Sequence, residues 1–214
     1  MKAPALHPLA ELRDAVERAR GARPGEACEM CGAWVPPDHR HVVDTVDRSL
    51  KCLCTPCFLL FSDAAAASGR YRQVSSRYAA LPGLQLSDAD WDALTIPVSL
   101  AFFFQNSSLG RTVAFYPGPG GATESLLPLD AWQHIVSANP ALGELAPDVE
   151  AILVRQRRDG VDCYVVPIDA CYELVGRLRL HWSGFDGGAE ARAHIDNFFA
   201  DVRRRAGGSE SGHA

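Results

Sequence analysis

The sequence contains no uninterrupted apolar run that approaches the ~18 residues of a membrane-spanning helix. Residues 1–8 include a lysine, a histidine and two prolines, and they lack the apolar core of a secretory signal. We therefore expect a soluble, cytoplasmic protein with no membrane partner. At 214 residues and 47% hydrophobic content, the chain can bury one substantial core and a small satellite module.

Basic residues are fewer than acidic residues in this sequence. Lys and Arg total 21 against 26 Asp and Glu, which gives a net charge of −5. The cysteine-rich segment 26–61 is acidic as well, whereas a nucleic-acid-binding module normally presents a basic face to phosphate. The composition therefore argues against DNA or RNA as the partner.

A phosphate-binding loop is also missing. The stretch 117–121, Pro-Gly-Pro-Gly-Gly, lacks the Lys-Ser/Thr of a P-loop, and its prolines remove backbone N–H donors. This composition favours a plain turn.

Cysteine is the residue around which the chain is organised. Two Cys-x-x-Cys pairs have nearly the spacing of a four-thiolate metal site: Cys28 and Cys31, then Cys54 and Cys57. A two-residue gap lets the backbone form a knuckle that directs both sulfurs at one ion, and Gly32 suits the positive φ of such a turn. These four cysteines are the predicted metal ligands.

The residues between and after the pairs predict how the site is built. Residues 41–46 and 49–54 are short β-rich runs that would form a hairpin through Asp47 and Arg48 and bring the pairs together. Residues 58–67 are helix-prone, which would place the second pair in the first turn of a helix, where the dipole favours thiolate. Knuckle, hairpin and helix resemble a treble-clef or zinc-ribbon-like module.

Alternatives remain open for the ligand set. Cys52 shares a strand face with Cys54 by alternation, so it could replace Cys54 as a ligand. His39 and His41 are weaker substitutes. Ordinary buried cysteines or two disulfides are the competing explanation, but two pairs at this spacing are improbable as core filling and no signal sequence indicates an oxidising compartment.

The metal is expected to be zinc, with iron as the alternative. A closed four-thiolate site implies a structural role for zinc or one-electron transfer for iron. Iron sites of this kind usually lie between two symmetrical glycine-bearing knuckles, whereas Cys57 is followed by Phe58 and a predicted helix.

The rest of the chain predicts an α+β fold. Residues 98–116 and 149–166 each predict a hairpin, with turns at 105–110 and 158–160, and a helix follows each hairpin. The order predicts an antiparallel sheet of about four strands, built as two hairpin–helix units, with the helices on one face. A final amphipathic helix is predicted over 189–205.

The predicted organisation has five parts. They are an N-terminal helix within 1–25 (residues 8–20), a four-cysteine metal-binding module at 26–70, a connector at 71–97, the α+β body at 98–206, and a disordered tail at 207–214.

Polar and aromatic residues beside one predicted helix suggest a surface for recognising a protein partner. Large aromatics in a Gly-rich loop either fold back onto the core or contact a partner, and acidic neighbours would form a polar rim. The predicted partner-binding residues are Asp169, Glu173, Trp182, Phe185 and Asp186. A weaker alternative is an enzyme that uses Asp169, Cys171, His181 or Asp186.

Several phrases resemble an uncharacterised family of bacterial proteins of about this length. They are CEMCG at 28–32, PDHRH at 37–41, CLCTPC at 52–57, LAFFF at 100–104, PIDACYELV at 167–175 and WSGFDGG at 182–188. Members are often encoded beside nickel–iron hydrogenases of the high-affinity, oxygen-tolerant kind. The resemblance implies a genomic context and the cysteines as metal ligands, but no mechanism.

Three functional hypotheses follow. The first is an accessory or assembly protein in which structural zinc supports recognition of a protein partner, with a hydrogenase subunit or maturation factor as the candidate. The second is a rubredoxin-like iron electron carrier, and the third is the enzyme alternative above.

Overall fold

The computed structural model describes residues 26–63, 68–184 and 187–208. The predicted N-terminal helix, most of the predicted tail, and the predicted site residues Phe185 and Asp186 lie outside these ranges. The described chain is α+β with antiparallel sheets. No helix in these ranges is both long and apolar enough to cross a membrane.

The cysteine module is a small antiparallel sheet with a short helix. Its elements are β1 (Arg40–Asp44), β2 (Ser49–Leu53), α1 (Thr55–Phe61) and β3 (Tyr71–Gln73), and the strand order is β2-β1-β3. Val42 and Leu53 are fully buried and pack with Val35 and Phe58 in a core of a few residues. A core this small supplies little stability by itself.

The body contains, within the described residues, a six-stranded antiparallel sheet in the order β4-β9-β8-β5-β6-β7. Its strands are β4 (Ala79–Ala80), β5 (Leu100–Asn106), β6 (Arg111–Gly118), β7 (Gly121–Ser125), β8 (Glu150–Arg157) and β9 (Gly160–Pro167). Its helices are α2 (Asp88–Ala93), α3 (Leu129–Ala138), a 3₁₀ turn at Pro140–Gly143, α4 (Ile168–His181) and α5 (Gly188–Gly208).

Both faces of this sheet are covered. Phe102 packs in a core formed with α4 and α5, while Phe103, the next residue, stacks on Trp132 of α3 with ring centroids 4.6 Å apart. Successive strand residues point to opposite faces, so an apolar run such as Leu100–Phe104 needs a helical layer on each side. The body therefore has three layers.

Several sequence-based expectations need correction. The sheet has six strands, because residues assigned to the connector supply β4 and the Pro-Gly-rich stretch 117–121 closes a third hairpin, β6–β7, with its turn at 119–120. Helices pack on both faces, because α2 and α3 cover the second. Helix α5 continues to Gly208, past the predicted start of the tail. The two predicted hairpins are present: β5 pairs with β6 and β8 with β9.

A network of ion pairs fixes the hairpin of the cysteine module. Asp44, nearly fully buried, accepts hydrogen bonds from Arg70 at 2.6 Å and from the backbone N–H groups of Val46 and Asp47 in the β1–β2 turn. The Arg70 guanidinium, helped by these N–H groups, outweighs the effect of burial and lowers the pKa of Asp44 to about 2. The turn is therefore held in one conformation at neutral pH.

We predict that Phe103→Ala destabilises the protein by about 3–5 kcal/mol, because it removes a buried ring and its stacking on Trp132. Denaturant unfolding of the variant measures this cost. Leu126→Ala is the control, since Leu126 is 93% exposed and its removal should change stability by less than about 0.5 kcal/mol. Equal effects of the two substitutions would contradict the three-layer arrangement.

Candidate metal centre

The first cysteine pair lies on a tight knuckle. The Gly32 N–H donates to the Cys28 carbonyl at 2.8 Å, the Cys28 N–H donates to the Ala33 carbonyl at 2.7 Å, and a β-bridge joins Ala27 to Trp34. Gly32 has a φ of +74°, a conformation that costs glycine nothing and other residues more. The knuckle therefore turns the Cys28 and Cys31 side chains the same way.

The second pair lies at the start of α1. Cys54 is the N-cap residue, Cys57 follows in the first turn, and Pro56 is compatible with that turn because its missing N–H would have no helical partner. The hairpin β1–β2 carries this helix start to the knuckle, where Cys31 Sγ and Cys54 Sγ are 3.6 Å apart.

All four sulfurs converge on one point. The thiols of Cys28, Cys31, Cys54 and Cys57 lie within 4.8 Å of one another and could hold a metal ion. All seven cysteines of the chain are free thiols. A sulfur separation of 3.6 Å is far longer than a disulfide bond, and it is compatible with two ligands of one ion at about 2.3 Å each.

The electrostatics of the group favour a cation. Burial would raise the pKa of the Cys28 thiol, but backbone N–H groups of Cys54, Cys31 and Met30 point to its sulfur and lower the pKa to about 6. Desolvation and the neighbouring sulfurs raise the pKa of Cys57 above its ordinary range. One sulfur therefore ionises readily and opposes ionisation of another, a conflict that a bound cation removes.

Cys52 lies in a different group. One ligand atom from each of His39, His41 and Cys52 lies within 4.8 Å of the others, and Cys52 is not part of the four-thiol group. Glu29 accepts hydrogen bonds from the Cys52 backbone N–H at 2.7 Å and from Lys51 Nζ at 3.3 Å. Desolvation, followed by the charges of Glu26 and Glu29, raises the pKa of the Cys52 thiol to about 11. The structure thus places Cys54, rather than Cys52, beside the other three cysteines.

A sequence profile of a family of unknown function, DUF5947, matches residues 27–206 and so spans the cysteine module and nearly all of the body. The chain belongs to the DUF5947 family. Comparison with curated proteins and with solved structures gave no match.

In this DUF5947 chain, three of the residues predicted to bind a partner are described, and they are spread along α4 to the residue that follows it. Asp169, at its start, accepts a hydrogen bond from His41 Nδ1 at 2.9 Å, and Glu173 pairs with Arg177 one turn later. Trp182 follows the last helical residue, and its Nε1–H donates to the Gly184 carbonyl at 3.0 Å. Helical rise separates Asp169 from Trp182 by about 20 Å. The partner surface stays a prediction, and its described residues do not form one compact patch.

The described residues of the enzyme alternative, Asp169, Cys171 and His181, are not brought together. Cys171 is fully buried, and desolvation raises its pKa well above the ordinary range. His181 lies ten residues after Cys171 on α4, which is about 15 Å away by helical rise. There its Nδ1 contacts Glu190 at 2.7 Å and its ring stacks on His194. Asp169 contacts His41. These three residues thus offer no nucleophile and base within reach of each other.

The sequence reasoning missed a cavity between the cysteine module and the body. It has a volume of about 320 Å³ and is mainly apolar, and it shares lining residues, among them Arg48 and Tyr172, with a second cavity that reaches Leu109 and Glu124. We call these two adjacent cavities together the junction groove. Ten residues line its larger part: Val43, Thr45, Arg48, Ser49, Leu50, Phe104, Asn106, Asp148, Ile168 and Tyr172. They come from distant parts of the chain, so no local motif could have indicated the groove.

We predict that Cys57→Ser lowers the metal content of the purified protein by about one equivalent, because serine is a poor replacement for a thiolate ligand. Elemental analysis of protein purified under reducing, metal-replete conditions measures this. Cys163→Ser is the matched control, since Cys163 lies in the body core with only 5% of its surface exposed. Unchanged metal content in Cys57→Ser would show that the four sulfurs are not the site.

Proposed function

We propose that the protein is a metal-binding accessory or assembly factor that recognises a protein partner, and that zinc stabilises the fold of its cysteine module. One observation supports this most directly: the hairpin held between the two cysteine pairs forms one wall of the junction groove. Val43, Thr45, Arg48, Ser49 and Leu50 come from that hairpin and its turn. An ion on the four sulfurs would therefore fix the shape of a recognition surface without taking part in chemistry.

The ligand set and local fold favour zinc. Four thiolates fill the coordination sphere of a tetrahedral ion, as in structural zinc sites, and no position remains for a substrate. A knuckle, a hairpin and a helix that begins at the second pair correspond to the treble-clef arrangement. The bound ion would add on the order of 10 kcal/mol to the folding of a module whose own core is small.

The junction groove has the character of a protein-binding site. Its floor is formed by Phe104, Leu50 and Ile168, and Arg48, Asp148 and Glu124 add charge along its length. An apolar floor with polar groups beside it suits an inserted apolar side chain flanked by hydrogen bonds.

The resemblance in the sequence suggests which partner to test. We infer a nickel–iron hydrogenase subunit or maturation factor as the candidate. The predicted partner surface, with Asp169, Glu173, Trp182, Phe185 and Asp186, is a second candidate contact, and its acidic residues would favour a basic patch on the partner.

An iron-binding electron carrier is the second candidate function. Cys31 is exposed while Cys28 is buried, so one ligand of a bound ion would be accessible to a redox partner. The absorption spectrum separates the two candidates, because a ferric tetrathiolate is red and a zinc site is colourless. A red protein with a reversible one-electron couple would favour the electron carrier.

We predict that Leu109→Glu weakens binding of the partner by roughly thirtyfold, equivalent to losing about 2 kcal/mol at an interface anchor. Leu109 is 41% exposed at the groove, so a charge there disturbs recognition more than folding. Leu180→Glu is the matched variant, because Leu180 is 81% exposed near the end of α4 and away from the groove. Affinity purification from the native host, with quantification of hydrogenase subunits and maturation factors, compares both variants with wild type.

The two variants separate the two candidate surfaces. Loss of the partner with Leu109→Glu alone supports the groove, and loss with Leu180→Glu alone moves recognition to the end of α4. Retention by both, or no hydrogenase-related protein captured by wild type, would contradict the proposed function.

A further inference from the structure

The second group of ligand-type side chains lies on one face of the β1–β2 hairpin. His39 directly precedes β1, His41 is the second residue of that strand, and the strand register pairs His41 with Cys52 on the neighbouring strand. A ring nitrogen of each histidine and the Cys52 sulfur lie within 4.8 Å of one another. The two imidazole rings meet edge to face with centroids 4.6 Å apart.

His39 has a buried nitrogen without a hydrogen bond. Its Nδ1 lies 2.8 Å from the Pro36 carbonyl, which can only accept, so Nδ1 carries a proton, and in the neutral ring Nε2 carries the lone pair. The side chain is only 3% exposed, and Nε2 has no hydrogen-bond partner in the described part of the chain. The Glu26 carboxylate is 3.3 Å from Nε2 without the alignment of a hydrogen bond, and an ion pair there would require a second proton on the ring.

His41 is oriented in the same way by a different acceptor. Its Nδ1 lies 2.9 Å from Oδ2 of Asp169, a residue of the body helix α4. With Nδ1–H donated to this carboxylate, Nε2 is again the nitrogen with the free lone pair. Metal-binding histidines characteristically donate their other N–H to a carboxylate or a backbone carbonyl, which fixes the tautomer and the ring. Both histidines have this arrangement.

We propose that His39, His41 and Cys52 form a second metal site, separate from the four-thiol group and selective for a divalent first-row transition metal ion. Two imidazole nitrogens and one thiolate suit ions of intermediate softness such as Zn²⁺, Co²⁺ or Ni²⁺, and disfavour Ca²⁺ and Mg²⁺. Three protein ligands leave a coordination position open, which Glu26 or an outside ligand can fill. The four-thiol site is closed and structural, whereas this site is open and its ion exchangeable.

The proposed second site lies at the contact between the cysteine module and the body. His41 belongs to the cysteine module and Asp169 to the body, so metal binding at His41 strengthens a hydrogen bond that joins the two parts. Ile168, the neighbour of Asp169, lines the junction groove. The inference does not depend on the identity of any partner, because it concerns metal binding by the isolated chain.

Titration with Co²⁺ tests the proposal. Protein that carries one equivalent of zinc is freed of weakly bound metal with a mild chelator and titrated with Co²⁺ under reducing conditions. The expected result is one equivalent of bound cobalt with a thiolate-to-cobalt charge-transfer band, while a colorimetric zinc indicator shows no zinc release. Mg²⁺ in large excess should not compete.

The variants identify the ligands. Cys52→Ser should abolish the charge-transfer band, and His39→Ala should weaken cobalt binding by about 100-fold or more. Asp169→Asn changes a positioning residue and should weaken binding by about 10–100-fold while the band is retained. His134→Ala is the control, because this exposed histidine on α3 lies outside the group and should bind cobalt as wild type does.

Three results would overturn the proposal. They are cobalt uptake by wild type that is matched by zinc release, no uptake at all, or equal cobalt affinities for His39→Ala and His134→Ala. Zinc content reports whether each variant keeps its folded module. If the His39 and Cys52 variants lose zinc, the cobalt affinity of Asp169→Asn is the test, because Asp169 lies in the body and not in the cysteine module. An unchanged cobalt affinity in that variant would contradict the role of His41.

Discussion

The convergence of four cysteine sulfurs is the constraint on which the cysteine module depends. The sulfurs lie within 4.8 Å of one another, and the ionisation of Cys28 opposes that of Cys57. Thiolates held this close repel each other unless a cation lies between them. Apart from the hydrogen bonds between Glu29 and the end of β2, the knuckle and the start of α1 share only a small apolar core around Val42 and Leu53. A metal ion would supply the stability that a core of this size cannot.

The same constraint reaches the surface between module and body. The hairpin between the cysteine pairs forms a wall of the junction groove, and the side chains of Asp44 and Arg70 hold its turn. Contacts with the body are polar at His41 and Asp169 and apolar around Val74. The β1–β2 hairpin is therefore positioned by the four-cysteine group at one end and by its contact with α4 at the other. Under the proposed function, a structural ion would thereby influence recognition of the partner without any catalytic role.

The parts of the structure that depend on local chemistry could be predicted from the sequence. The cysteine spacing and Gly32 predicted the knuckle, and the turn residues predicted the hairpins β5–β6 and β8–β9. The Ser87 capping box at the start of α2 is of the same kind, because a cap needs only a few adjacent residues.

The missed features depend on distant residues. The apolar run Leu100–Phe104 is typical of a strand buried on both faces, and it could have indicated the second helical layer. The two-residue strand β4 is too short to produce a pattern. The contact between His41 and Asp169 joins residues 128 positions apart, so no spacing rule could reveal it. Spacing alone indicates His39, His41 and Cys52 only as substitutes for the four-cysteine ligands, because it does not show which side chains meet in the folded hairpin.

X-ray absorption spectroscopy at the zinc edge, on protein that carries one equivalent of zinc, tests the central claim most directly. A closed four-thiolate site predicts a first shell of four sulfur atoms at about 2.3 Å with no nitrogen or oxygen contribution. A first shell of mixed nitrogen and sulfur, with two or fewer sulfur atoms, would contradict the account, because it would show that the four cysteines do not close around the tightly bound ion.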